Sequence, residues 1–292
     1  VGAFDLLLRG ATWIAGARPR REPGDVRSVE RVLALRLDRL GDLLTTLPAL
    51  RALRAGLPGA HIELAVGSWN EPVARRLPFV DAVRLVDAPW SAWGQDGKGS
   101  GFFRARRALG GGNFDLALDF QGDLRVLLLM ALAGARFRAG YGETGGRYLL
   151  THEARWDERR SWYWQNLELV RAILPEAAAA SLAPHNFVTG EDRDEASRLL
   201  REKGIDGRPL IGIQPSAGRA IKQWEPAKFA ELIDLIARNG KHATIVLTGA
   251  ASDRTLVEEV RARCSTPPRV LLGVPLAAFA AVGERFDVLV TG

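Results

Sequence analysis

The sequence predicts an α/β fold built on parallel sheets and divided between two domains. Three observations lead there. Apolar runs at residues 32–37 and 209–213 read as strands buried on both faces. Strand and helix patterns alternate along the chain, which favours a parallel sheet with right-handed crossovers. The chain has 292 residues, more than one hydrophobic core usually holds.

Composition narrows the class. Apolar residues make up 47% and charged residues 25%, as in an ordinary soluble protein. One cysteine, Cys264, allows no internal disulfide and fits a reducing, cytoplasmic compartment. No stretch is long and apolar enough to cross a bilayer. The net charge of +6 fits a solvated surface, or attraction to anionic headgroups or a phosphorylated acceptor. Nothing matches a nucleic-acid module. His61, His152, His185 and His242 are scattered and form no paired ligand spacing with cysteine, so no metal is expected. There is no Gly-x-Ser-x-Gly elbow, and neither main strand-to-helix turn carries a Gly-x-Gly-x-x-Gly fingerprint.

The elements follow in order. Residues 1–30 form an amphipathic, basic extension, with Phe4, Leu6–Leu8, Trp13 and Ile14 ahead of Arg18, Arg20 and Arg21. It reads either as a helix packed on the first domain or as a surface-lying membrane segment. The first domain spans 31–185. Its opening strand turns at residues 38–42, and Leu43, Leu44, Leu47, Leu50 and Leu53 then recur at helical spacing. Asp42 stands at this helix start, where it can cap the helix or do chemistry. Further strands are expected at 61–66, 82–86, 114–120 and 136–141, with helices at 70–77, 102–109, 124–132 and 161–174. Residues 87–101 read as a loop. After the fourth strand come Asp119, Gln121, Gly122, Asp123 and Arg125, either an ordinary turn or a ligand-lining element. Glycines around Tyr141 suggest a mobile segment. Arg136, Arg138, Arg147, Arg155, Arg159 and Arg160 offer phosphate-matching charge or plain solubility. The alanine-rich stretch 175–189 reads as a linker.

The second domain, 186–292, opens on a helix at 191–203 and a strand at 209–213. The loop after that strand holds Ser216, Ala217, Gly218 and Lys222 before a helix starting at Pro226. Small residues and helix-start N–H groups there can accept a phosphate. A strand at 243–248 leads to Gly249 and Asp253, the latter a cap or a ribose contact. Strands at 269–272 and 287–291 flank a helix at 276–282.

The run from Arg36 to Arg54, RLDRLGDLLTTLPALRALR, resembles the opening signature of the glycosyltransferase family 9 heptosyltransferases. That resemblance implies the GT-B architecture: two Rossmann-like domains facing a cleft, the second incomplete here. It implies inverting, metal-independent transfer of a heptose or related sugar from an ADP-sugar to a lipopolysaccharide core acceptor at the inner-membrane surface, by a monomer. It makes Asp42 the general base, with Gly41, Asp119, Gln121, Gly122 and Arg125 on the acceptor side. The Lys-x-Trp-x-Pro element places Lys222 against the donor diphosphate, with Ser216, Ala217, Gly218, Gly249 and Asp253 around the nucleotide sugar. A nucleotide-sugar epimerase or hydrolase, or a non-catalytic sugar-nucleotide binder, is the alternative. The family pattern continues past Thr291-Gly292 into an Asp-Thr/Ser-Gly-x-x-His turn, and position 1 is valine, so a fragment is expected.

Overall fold

A computed structural model of the chain describes residues 26–91, 100–179, 185–218, 220–239 and 243–292. The chain divides into two compact units, Val1–Asn186 and Phe187–Gly292. Most of the expected extension over residues 1–30, and the centre of the loop 87–101, lie outside the described residues.

The first unit runs through β1 (Arg31–Arg36), α1 (Leu40–Gly56), β2 (His61–Val66), the short α2 (Glu71–Ala74) and β3 (Ala82–Leu85). It continues with α3 (Ser100–Leu109), β4 (Leu116–Asp119), α4 (Leu124–Leu132), β5 (Phe137–Gly140), β6 (His152–Glu153) and α5 (Trp162–Arg171). The strands form one sheet in the order β3-β2-β1-β4-β5-β6, every pair parallel. In β1, Val32 aligns with Ile62 on one side and Leu116 on the other. Helices cover the sheet, so Val32 to Leu35 are fully buried, as a central parallel strand requires. Burying each such leucine stabilises the fold by about 2 kcal/mol. Chain order reverses between β1 and β4. This is the topological switch point, where ligands of open α/β sheets sit outside the carboxyl ends of the strands.

The second unit holds α6 (Gly190–Glu202), β7 (Leu210–Gln214), α7 (Pro226–Asn239), β8 (Thr244–Gly249), α8 (Arg254–Arg263), β9 (Arg269–Leu272), α9 (Leu276–Gly283) and β10 (Val288–Thr291). Its parallel sheet has the order β10-β7-β8-β9. Alternate residues of β8 face opposite layers. Ile245 and Leu247 pack with Phe229, Ile233, Val257 and Val260, whereas Val246 packs with Ala196, Leu200, Ala281 and Val282. Its switch point lies between β7 and β10.

Several expectations are corrected. Helix α1 starts at Leu40, so Gly41 and Asp42 belong to the helix and the turn shrinks to residues 37–39. Asp42 is not the N-cap; Arg39 is, and the Asp42 carboxylate reaches back to its N–H. The helix expected at 70–77 is only Glu71–Ala74, preceded by a 3-10 turn at Ser68–Asn70. The strand β6 was not anticipated, because two residues are too few to show a period. The segment around Tyr141 is pinned rather than loose. Tyr141 is buried and donates through its hydroxyl to the Gln165 carbonyl. Thr144 Oγ1 donates to the Gly122 carbonyl at 2.6 Å and accepts from the Leu124 N–H at 3.1 Å. Residues 175–179 of the expected linker form a 3-10 helix.

Candidate active site

The carboxyl end of β1 carries a charge. Arg36, its last residue, is fully buried. Nη1 donates to the Phe120 carbonyl. Nε lies 3.0 Å from Asp38 Oδ1, and Nη2 lies 3.6 Å from Asp42 Oδ1. The guanidinium sits 5.3 Å from the Trp162 ring centre, within cation–π range. The two carboxylate contacts are ion pairs without hydrogen-bond alignment. Since Phe120 follows β4, one side chain joins both loops of the switch point.

Asp38 is anchored by its backbone. Its carbonyl accepts Trp69 Nε1 at 2.6 Å and Asn70 Nδ2 at 3.0 Å. Burial pushes its carboxyl up to about 6; the nearby Asp42 adds to this and Arg36 opposes it.

Asp42 occupies the first turn of α1, where the helix dipole favours a carboxylate. Its Oδ2 accepts the Arg39 N–H at 3.3 Å, and its side chain is 35% exposed. Its carbonyl accepts the hydroxyls of Thr45 and Thr46 at 2.8 and 2.9 Å. Asn166 Nδ2 donates to both threonine hydroxyls, at 3.3 and 3.2 Å. Gly41 is exposed, and a Cβ built there meets nothing within 4 Å.

On the other side of the switch point, Asp119 ends β4 and is fully buried. Its carboxylate accepts the N–H groups of Gln121 at 2.9 Å and Gly122 at 3.1 Å. Burial nevertheless pushes its carboxyl up to about 7, against those N–H groups and Arg36. Asp119 therefore shapes the turn. Gly122 has φ +71°, a conformation that suits glycine. Gln121 Nε2 donates to Ser91 Oγ at 3.2 Å. Arg125 is held by Asp123, with Nε at 2.9 Å from Oδ1, and lies 5.0 Å from the Trp90 ring centre. Asp123 caps α4 by accepting the Arg125 N–H.

Three of the six arginines further along are committed to partners within the fold. Arg138 is buried and donates to the carbonyls of Leu149 and Ala135. Arg147 pairs with Glu153 at 2.7 Å, and Arg160 with Asp157 at 3.5 Å. Helix α5 buries Gln165 and Asn166 rather than Trp162, which is 40% exposed.

In the second unit a hydrogen-bonded chain crosses the carboxyl ends of β7 and β8. Thr248 Oγ1 donates to Gln214 Oε1 at 2.8 Å, Gln214 Nε2 donates to Ser216 Oγ at 2.6 Å, and Ser216 Oγ donates to Asp253 Oδ2 at 2.7 Å. The same Asp253 oxygen accepts the Ala250 N–H at 2.9 Å. The loop 215–218 is thereby fixed to the turn after β8, with Gly249 at its base. Gln223 Nε2 closes the loop on the Ala217 carbonyl at 3.0 Å. Lys222 is exposed beside Ile221 and Trp224, and Gly218 is exposed as well. A cation and a short polar loop ahead of a helix suit an anionic ligand. Among the described residues no cluster of three or more His, Cys, Asp or Glu could hold a metal.

Within the first unit the structure brings Gly41, Asp42, Asp119, Gln121 and Gly122 to one switch point. Ser216, Asp253 and the Lys222 loop gather at the carboxyl edge of the second sheet. Sequence reasoning missed Arg36, Asp38, Trp162 and Asn166. Arg36 had a readable signal: a charge inside an apolar strand is tolerated only when paired. Asn166 had none, because its partners lie 120 residues away.

The model of glycosyltransferase family 9 (heptosyltransferase) matches residues 102–292. A lipopolysaccharide heptosyltransferase 3 from Escherichia coli is 22% identical over 262 residues, covering 85% of this chain and 72% of that protein. A glycosyl transferase family 9 structure from Veillonella parvula superposes with a TM-score of 0.72 at 23% identity, over 90% of this chain and 75% of that one. The Escherichia coli heptosyltransferase WaaC with ADP-2-deoxy-2-fluoro heptose gives a TM-score of 0.65 at 20% identity, over 89% and 82%.

Proposed function

This chain belongs to glycosyltransferase family 9, and on that premise we propose that it moves a heptose, or a closely related sugar, from an ADP-linked donor to a lipopolysaccharide core acceptor with inversion. The observation that supports this most is the Asp42 carboxylate. It is partly exposed at a switch point, with one oxygen braced by a backbone N–H and the other facing a buried cation. An acid held so is oriented to take a proton.

In this reading the acceptor hydroxyl enters beside Gly41, whose missing side chain leaves the first turn of α1 bare. Asp42 takes its proton. The oxygen forms a bond to the anomeric carbon from the face opposite the diphosphate, and the bond from that carbon to the phosphate oxygen breaks. ADP leaves with the bonding pair. Lys222 and the N–H groups of the Ser216–Gly218 loop meet the charge growing on it. These groups carry the charge without a metal. Gln121 and Arg125 contact the acceptor, and Asp253 and Gly249 lie on the nucleotide side. The ADP-heptose analogue named with the WaaC structure supports the choice of donor, and the names of the curated relatives support the choice of acceptor. A lipopolysaccharide acceptor favours a peripheral position at the cytoplasmic membrane face. No described helix is long and apolar enough to cross a membrane.

The test is to incubate the intact enzyme with several nucleotide sugars, with and without a truncated lipopolysaccharide, and weigh the products. Transfer predicts one added heptose only when acceptor is present. Free sugar or an epimerised donor formed without acceptor would favour a hydrolase or epimerase. Donor binding without turnover would favour a binding protein.

A further inference from the structure

We propose that Arg36 is a positioning residue for sugar transfer, a buried guanidinium that fixes the Asp42 carboxylate against the loop after β4. The inference rests on the reading of Asp42 as the base. Arg36 ends a strand whose preceding residues, Val32 to Leu35, are all fully buried, and it is fully buried itself. A lone buried charge there is costly, so its surroundings indicate what it is for. Its partners are the Phe120 carbonyl, Asp38, Asp42 and the Trp162 ring. They come from the two loops of the switch point, from α1 and from α5. A hydrophobic side chain would fill this volume at no electrostatic cost and is often as stable as an ion pair. What it could not do is join four elements through one planar group and aim a carboxylate at the crevice.

The geometry of the contacts supports a division of labour. Asp38 takes the shorter contact, 3.0 Å, and is the less exposed acid, at 19% against 35%. Asp38 therefore neutralises the guanidinium within the fold, while Asp42 keeps a looser contact and an open face. Arginine suits this use because its planar group carries the charge to both carboxylates while Nη1 donates to the Phe120 carbonyl. A lysine would retain the charge and lose the bridge to Phe120.

The experiment is a double-mutant cycle in the intact enzyme, measuring kcat and both KM values for transfer. Arg36→Gln is expected to lower kcat about tenfold or more, with KM for donor and acceptor within about twofold. In an Asp42→Asn background the same change is expected to cost nothing further, because the residue through which Arg36 acts is gone. Arg36→Lys, which keeps the charge and guards against a variant that does not fold, is expected to recover part of kcat in the native background and to be silent in the Asp42→Asn background. Equal losses in both backgrounds, for either substitution, would assign Arg36 a purely structural role and overturn the proposal. A change in KM with kcat intact would do the same. If Asp42→Asn alone leaves transfer near the native rate, the base assignment fails first. That outcome is distinct from a cycle in which Asp42 matters and Arg36 does not act through it.

Discussion

Asp38 offers a sharp test of the electrostatics at the end of β1. Its carboxyl is raised from 3.8 to about 6, chiefly by burial and despite the guanidinium of Arg36. In the native protein it holds its proton up to about pH 6, whereas the unfolded chain releases it near 3.8. Between these values the folded state binds more protons, so the contribution of Asp38 is fully present below 3.8 and is lost as pH rises through 6. The rise corresponds to about 3 kcal/mol. Asp38→Asn keeps the shape of the side chain and the carbonyl that holds Trp69 and Asn70, but it cannot titrate. Urea unfolding of both proteins, followed by circular dichroism from about pH 4 to about pH 7, measures the difference. Wild-type stability relative to the variant should fall by up to about 3 kcal/mol over that range. Asp119, whose carboxyl is near 7, titrates in both proteins and cancels. Parallel curves would mean that Arg36 keeps Asp38 ionised and that burial is not the dominant effect. A gap widening with pH would reverse the sign of the argument.

Other outcomes follow from the same geometry. Gly41→Ala places a methyl where nothing lies within 4 Å, so it should raise stability by up to about 1 kcal/mol on helix propensity. If the acceptor approaches that turn, the same variant should lose transfer activity; thermal melts and product assays in parallel check both halves. Lys222→Met should lower kcat/KM for transfer by about 100-fold or more, with Lys222→Arg retaining part of it. Steady-state kinetics over a range of donor concentrations read this out, and an unchanged value would remove Lys222 from the diphosphate.

Much of the fold was legible because its central strands are buried on both faces. The runs beginning at Val32, His61 and Leu210 declare themselves without any long-range information. The first turn of α1 was misread for a local reason. Gly41 looks like a turn residue, yet it sits inside a helix whose N-cap N–H is satisfied by Asp42 from three residues on. The glycines around Tyr141 suggest a loose segment, because glycine permits freedom without requiring it. In fact Gly122 and Thr144 close it onto α4, a contact spanning 22 positions. The arginine series illustrates the same limit. Composition shows charge, but only the fold shows that Arg138 is spent on backbone carbonyls and Arg147 on Glu153. The candidate site was half readable. Asp42 and Lys222 stand in local motifs, while Asn166 and Trp162 arrive from a helix far along the chain.

The central claim is that Asp42 removes the proton from the acceptor hydroxyl. The most direct measurement is transfer by the intact Asp42→Asn enzyme, with donor affinity followed by calorimetry. The expected result is a fall in kcat of about 100-fold or more, with donor binding unchanged. Transfer near the native rate, with inverted product still formed, would place the base on another residue and contradict the account.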